Sequence, residues 1–272
     1  MALDLASIFD DAQGYVMLSR VEDLEQVYIL SSLNEEKLRP SAKALAELQE
    51  MNKRSINQNP IPWKQKNENT IKIASLNCMN LKNNFKDIVC DNTLMESTMI
   101  AFSETWLEKE NRPTLEGYSA NFNSVGPGKG LAIYFKEDIF THIVDINKEK
   151  MQLTKMEASK IDVIIVYRSD QGNTVELVEH LIELITPENN TIIMGDFNIC
   201  YLATRKNRVT KYLEENGFTQ LVKEATHIQG RLLDHFYFRQ REPNKMTTTV
   251  LRYSPYYADH DAICTTVTFP AE

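Results

Sequence analysis

The stretch Thr191-Ile192-Ile193-Met194-Gly195-Asp196-Phe197-Asn198 runs a β-branched apolar segment straight into a glycine, an acid and an amide. Asp and Asn disfavour strand interiors, so it reads as a buried strand whose polar residues begin where the strand stops, at a sheet edge. Near the C-terminus, Ala258-Asp259-His260-Asp261 lies beside a second apolar run, 262–269. Acid, amide and imidazole groups at strand ends suggest hydrolysis, with room for a metal and a phosphate.

Outward from these two stretches, short apolar runs recur at 71–76, 99–102, 131–135, 161–167, 232–238 and 247–251. Many short strands with few helices between them argue for stacked sheets. The clearest helices are 175–185, apolar at helical spacing before Pro187, and 208–215, which stops at Asn216-Gly217. The expected fold class is α/β, with two stacked mixed β-sheets flanked by helices in a four-layer sandwich.

Residues 1–50 differ in texture. A strand-like Tyr28-Ile29-Leu30 is followed by Ser41-Ala42-Lys43-Ala44-Leu45-Ala46-Glu47-Leu48, a run of helix formers behind Pro40 with a serine cap. This predicts a small strand–helix appendage. Residues 51–69 are polar and Pro-containing, with no apolar period to bury, and read as a linker to a main domain at 70–270.

With 272 residues, 42% hydrophobic and 25% charged, the chain has the make-up of a globular protein with one substantial core. No apolar run reaches the roughly 18 residues of a membrane span, and the N-terminus lacks the features of a signal peptide. Four cysteines without a C-x-x-C pair point to a reducing intracellular compartment and to no zinc site. A net charge of −8 excludes coating of nucleic acid through bulk positive charge, so a nucleic-acid substrate needs a local basic patch and a bridging cation.

The polar residues at strand ends follow an order: Asn77, Glu104, Tyr167, Asp196 with Asn198, Asp234, and Asp259 with His260. They sit in Ser75-Leu76-Asn77-Cys78-Met79-Asn80-Leu81, Ser103-Glu104-Thr105-Trp106-Leu107, Val166-Tyr167-Arg168-Ser169, Gly195-Asp196-Phe197-Asn198, Leu233-Asp234-His235 and Asp259-His260. Over about 71–269 this ordered set resembles the endonuclease/exonuclease/phosphatase superfamily. The resemblance implies Glu104 as a metal ligand, with Asn77 sharing that site and Asp259 reaching it directly or through water. Mg²⁺ or Mn²⁺ is the implied ion.

It further implies that His260 contacts the scissile phosphate or helps activate water, with Asp234 accepting a hydrogen bond from its other ring nitrogen. Asp196 would position or deprotonate the nucleophilic water, and Asn198 and Tyr167 would donate to phosphate oxygens. Two positions depart from the family: Ala258 stands where serine is usual, and Met79 where the first motif often has an acid or amide. Metal affinity then rests more heavily on Glu104.

Other residues carry plainer readings. Asp196 and Asn198 alone would be turn formers, and Tyr167 a strand-end aromatic packed on the core. Arg168 is a solvated charge or a phosphate contact and stays outside the candidate site; His227, in the loop before Asp234, reads as a substrate contact or, more plainly, a surface residue. His142 and His180 lack an acidic motif around them. Gly126-Pro127-Gly128-Lys129-Gly130 lacks the G-x-x-x-x-G-K-[ST] pattern and reads as a hairpin-type turn.

In the N-terminal piece, 13–21, 24–30 and Arg39-Pro40-Ser41 resemble the last motif of superfamily-one DNA helicases of Helitron-type transposons, with Arg20 at the ATP-contacting arginine. No G-K-[ST] occurs anywhere, so this chain alone is no ATPase or helicase. A helicase tail joined to an endonuclease domain resembles a truncated Helentron-type mobile-element protein. The combined expectation is a Mg²⁺-dependent DNA endonuclease of transposon origin with DNA as its partner, no membrane association, and an intracellular, nuclear location. The alternatives are a catalytically degraded remnant that keeps the fold, or an enzyme acting on a non-DNA phosphate ester.

Overall fold

The computed structural model describes residues 2–3, 28–29, 69–108, 112–123, 129–136, 139–241 and 245–270. The chain divides into two units, Met1–Lys66 and Asn67–Glu272. In the first, β1 (Ala2–Leu3) pairs in parallel with β2 (Tyr28–Ile29). The helix expected at 41–48, most of the linker, and Arg20 lie outside the described residues.

The second unit holds two six-stranded sheets. One comprises β3 (Thr70–Asn77), β4 (Met99–Ser103), β5 (Ser119–Asn123), β6 (Leu131–Phe135), β13 (Thr247–Tyr253) and β14 (Ala262–Thr268), in the order β13-β14-β3-β4-β6-β5. The other comprises β7 (Phe140–Lys148), β8 (Met151–Ala158), β9 (Asp162–Arg168), β10 (Thr191–Asp196), β11 (Thr219–Gln220) and β12 (Asp234–Arg239), in the order β11-β12-β10-β9-β8-β7. The central pairs β3/β4 and β9/β10 are parallel and their sheet neighbours antiparallel, so both sheets are mixed. Parallel neighbours need a crossover, supplied for the first pair by α1 (Leu81–Val89) and α2 (Asn92–Met95) and for the second by α3 (Thr174–Leu184). After β10 comes α4 (Arg208–Glu215).

Side chains on a strand alternate between faces, and here both faces are covered. Ile73, Met99, Ala101, Val163, Ile165, Ile192, Met194, Phe236 and Ile263 fill the layer between the sheets. Their neighbours point outward: Leu76, Ile100, Phe102 and Tyr134 pack with Leu81, Ile88 and Leu94, while Ile164, Val166, Ile193 and Tyr237 pack with Leu177, Leu181, Val209 and Leu213. This is the four-layer α/β sandwich expected from the sequence. Double burial explains why the central strands are continuously apolar.

The helices obey local rules. Asn173 and Asn207 cap α3 and α4 by accepting from Val175 N and Val209 N, and Gly217, at φ +82°, follows the end of α4. The four cysteines are free; Cys78 and Cys264 are buried, Cys200 is half-buried and Cys90 exposed. Among the described residues no helix is long and apolar enough to cross a membrane.

Candidate active site

Strand periodicity puts the polar residues on one face. Asn77 continues the inward series of Ile73, Tyr167 that of Val163 and Ile165, Asp196 that of Ile192 and Met194, and Asp234 that of Phe236 and Phe238. Asp196 is register partner to Tyr167 on one side and to Asp234 on the other. The four side chains therefore converge where the inter-sheet layer ends.

There they bond to one another. Asn77 Nδ2 donates to Asp196 Oδ2 at 2.9 Å, joining the two sheets. Asn77 Oδ1 accepts from Met79 N at 3.2 Å, which fixes the amide's orientation. The His260 Nδ1 atom lies 2.7 Å from Asp234 Oδ2, and Thr226 Oγ1 donates to the same oxygen at 2.7 Å. With Nδ1–H committed to Asp234, Nε2 of His260 faces the site, 3.5 Å from Asn77 Nδ2.

Charge follows from this packing. Burial, then the Asp234 carboxylate, raises the Asp196 carboxyl to about 7 against the opposing pull of His260 and its hydrogen-bond donors. Burial alone would lower the His260 pKa, but the charge and hydrogen bond of Asp234, helped by Asp196 and Asp259, carry it to about 9. The site thus raises the proton affinity of both the Asp196 carboxyl and the His260 ring.

Asn198 lies at φ +49°, with its N–H on Asp196 Oδ1 at 2.9 Å. Its amide nitrogen donates to Arg168 O at 3.0 Å and to Asp196 Oδ2 at 3.2 Å, so both amide hydrogens serve the loop that carries Asp196. Tyr167 is buried, with its hydroxyl 3.5 Å from Glu104 Oε1. Burial and the Glu104 carboxylate raise this phenol's pKa, so it stays a donor.

Arg168 corrects the sequence reading: it is neither a solvated charge nor a phosphate contact. It is buried, and its guanidinium donates to Phe197 O at 2.7 Å, Gly172 O at 2.6 Å, Asn198 O at 3.0 Å and Asp170 O at 3.1 Å. His227 is a second correction, since it lies inside the site rather than on the surface. Its ring meets that of His260 edge-on at 4.7 Å, and Nε2 lies 3.3 Å from Asp259 Oδ2. Because Nδ1 accepts from Gln229 N at 3.1 Å, the neutral ring carries its proton on Nε2 and donates to Asp259. Thr226 escaped the sequence reading altogether; only an Ala-Thr-His run followed by a glycine turn ahead of Leu233-Asp234 marked it.

Backbone strain concentrates here. The described non-glycine residues with positive φ are Met79, Asn80, Glu104, Trp106 and Asn198, all within three positions of Asn77, Glu104 or Asp196. Gly195 sits at φ +127°, where an added Cβ would lie 2.0 Å from Val166 O.

Among the described residues two close-set groups of potential ligands occur, Asp196–Asp234–His260 and His227–Asp259–His260. In the first, Asp234 is bonded to His260 and Asp196 to Asn77 and Asn198, and in the second the protonated Nε2 of His227 is no ligand atom. Asp259 Oδ1, by contrast, is buried with no hydrogen-bond partner, an oxygen waiting for a donor or a cation. Glu104 stands in neither group; its carboxylate and that of Asp259 are hard oxygen donors of the kind a divalent ion takes.

A model of the endonuclease/exonuclease/phosphatase family matches residues 61–260. Similar solved structures include the endonuclease domain of TRAS1, a telomere-specific non-LTR retrotransposon, at 12% identity and TM-score 0.57, covering 74% of this chain and 100% of that one. An AP endonuclease from Archaeoglobus fulgidus matches at 16% identity and TM-score 0.59, with 74% and 100% covered. The 3'-5' exonuclease NExo from Neisseria meningitidis matches at 17% identity and TM-score 0.53, again with 74% and 100% covered. At these identities the likeness is one of fold. No curated protein matches the sequence.

Proposed function

The chain belongs to the endonuclease/exonuclease/phosphatase family, and from that premise we propose that it is a metal-dependent phosphodiesterase hydrolysing DNA, an endonuclease of mobile-element origin. The observation that carries the proposal is the linked pair of bonds Asn77–Asp196 and Asp234–His260, which gathers an amide, two carboxylates and an imidazole from four strand ends.

Asp196 is the base. Its Oδ2 is engaged by Asn77 and Asn198 and its Oδ1 by Asn198 N, leaving Oδ1 one lone pair for a water. A carboxyl near 7 can accept that water's proton as the oxygen attacks phosphorus. His260, charged and held by Asp234, presents Nε2–H to the phosphate oxygens as their charge grows. The Tyr167 hydroxyl adds a second donor. Asn198 and Arg168 act one step back, fixing the loop that presents Asp196.

Glu104, Asn77 and the open oxygen of Asp259 would hold the Mg²⁺ or Mn²⁺ ion. When bound, that ion offsets the negative charge that repels the nucleophile. Support for DNA and for a mobile-element source comes from the form of the Ser103–Leu107 and Val166–Ser169 motifs and from the helicase-like N-terminal piece. Such a substrate would place the protein in the nucleus.

The test is cleavage of a supercoiled plasmid with Mg²⁺, Mn²⁺ or chelator, beside His260→Ala and Glu104→Ala. Metal-dependent nicking that both variants lose supports the reading. A folded protein that leaves the plasmid intact under every condition returns the choice to a degraded remnant or a non-DNA ester. Rising salt should weaken DNA cleavage steeply and hydrolysis of a small phosphate ester far less.

A further inference from the structure

Eight large apolar side chains stand exposed among the described residues, and their distribution is uneven. Val89, Val175 and Ile182 are scattered on α1 and α3. The other five, Met79, Trp106, Leu202, Ile228 and Tyr256, fall on the loops that carry the site. Met79 follows Asn77 by two residues and Trp106 follows Glu104 by two; Ile228 adjoins His227, and Tyr256 precedes Asp259 by three. Trp106 is 42% exposed, Ile228 78% and Tyr256 83%, whereas the other aromatic rings among the described residues are buried or half-buried.

These side chains are held in place. Met79 and Trp106 have φ of 43° and 53°, a conformation that costs energy in an L residue and persists only where surroundings enforce it. Those surroundings are Asn80 N on Glu104 O at 2.9 Å, Leu81 N on Thr105 O at 3.0 Å and Trp106 N on Lys129 O at 3.0 Å, which stitch the two turns together. Asn84 Nδ2 then ties Cys78 O, at 2.8 Å, to Tyr257 O, at 3.1 Å, bringing in the loop that bears Tyr256. These turns thus hold a thioether and an indole on the loops that follow Asn77 and Glu104, while the Tyr256 ring stands edge-on to Tyr257 at 5.3 Å with its hydroxyl donating to Asp87 Oδ1 at 2.5 Å.

We propose that this rim stacks on the unpaired bases of a single-stranded DNA segment that flanks the scissile phosphate. The inference rests on the phosphodiesterase reading and names its substrate class. An exposed ring finds no free π-face along an intact duplex, whereas every unstacked base offers one.

The test measures binding by fluorescence anisotropy in the full chain carrying His260→Ala. The probes are a labelled oligothymidylate of about 12 nucleotides, a blunt duplex of the same length, and phosphatidylcholine/phosphatidylserine vesicles. The expected result is tighter binding of the single strand than of the duplex, lost about tenfold on Trp106→Ala and again on Tyr256→Ala. With His260 intact, both variants should retain wild-type hydrolysis of bis(p-nitrophenyl) phosphate. Equal binding of duplex and single strand, indifference to Trp106→Ala, or capture by vesicles in place of the oligonucleotide overturns the proposal. If stacking survives while no ester is hydrolysed, it is the phosphodiesterase reading that falls.

Discussion

Replacing Arg168 by methionine, which keeps the unbranched stem of the side chain and removes every donor, should cost about 3–4 kcal/mol of stability. Four backbone carbonyls lose a charged partner. Those of Phe197 and Gly172 are buried, so each pays the roughly 1–3 kcal/mol of an unsatisfied acceptor. Those of Asp170 and Asn198 are partly exposed, and water recovers most of their loss. Against this, the variant no longer buries a guanidinium, a cost visible in its depressed pKa. For a domain of this size the net should lower the melting temperature by about 6–16 °C. Activity should fall further than stability alone explains, because the freed Phe197–Asn198 carbonyls belong to the loop that aims Asp196. Urea unfolding and initial rates at a temperature where both proteins are folded measure the two effects. Arg168→Lys, a point charge that cannot fork over four carbonyls, should fall between. An Arg168→Met protein within about 1 kcal/mol of wild type would refute the account of Arg168 as the anchor of this loop.

Gly195→Ala should prevent folding or lower stability by more than about 3 kcal/mol, since its Cβ would collide with the backbone of β9 at a positive φ; thermal melts would show it. His227→Ala should lower the apparent affinity for activating Mn²⁺ by about 10- to 100-fold while leaving the melting temperature nearly unchanged, because it frees Asp259 to rotate. His235 is buried, with Nε2 on Ile199 O at 2.7 Å and the Tyr237 hydroxyl near Nδ1 at 3.2 Å, and burial lowers its pKa to about 4. Its depressed pKa means that its contribution is complete above about 6.5 and is lost as pH falls through about 4. Chemical unfolding across that window should show the loss, and His235→Gln should flatten it.

The parts visible in the sequence were those in which one residue type served one purpose. The apolar runs of β3, β4, β6, β9, β10 and β14 are buried on both faces, so composition alone marked them. β8 escaped because Gln152, Thr154 and Lys155 lie buried in it, the lysine paired with Glu157 at 2.7 Å and Asp162 at 3.2 Å. α1 escaped because only Leu81 and Ile88 are buried, too few to show a helical period among its polar residues. Candidate site residues were legible where a motif ended a strand. Thr226, His227 and Arg168 were not, because their partners are set by how two loops close on each other. The hydroxyl of Thr226 meets Asp234 only once the 226–231 turn folds back, with Thr226 N on Arg231 O at 2.9 Å.

The hydrogen bond between Asn77 and Asp196 crosses from one sheet to the other, so its length is also a measure of how the layers sit. The interface beneath it is close-packed, so a change of side-chain volume there is passed on as a shift of one layer against the other. The polar groups at its end tolerate none. Substituting Met194 or Ile73, far from any phosphate, should therefore blunt catalysis at temperatures well below melting. Such variants would form a graded series in which turnover serves as a ruler for the sliding of one sheet over the other.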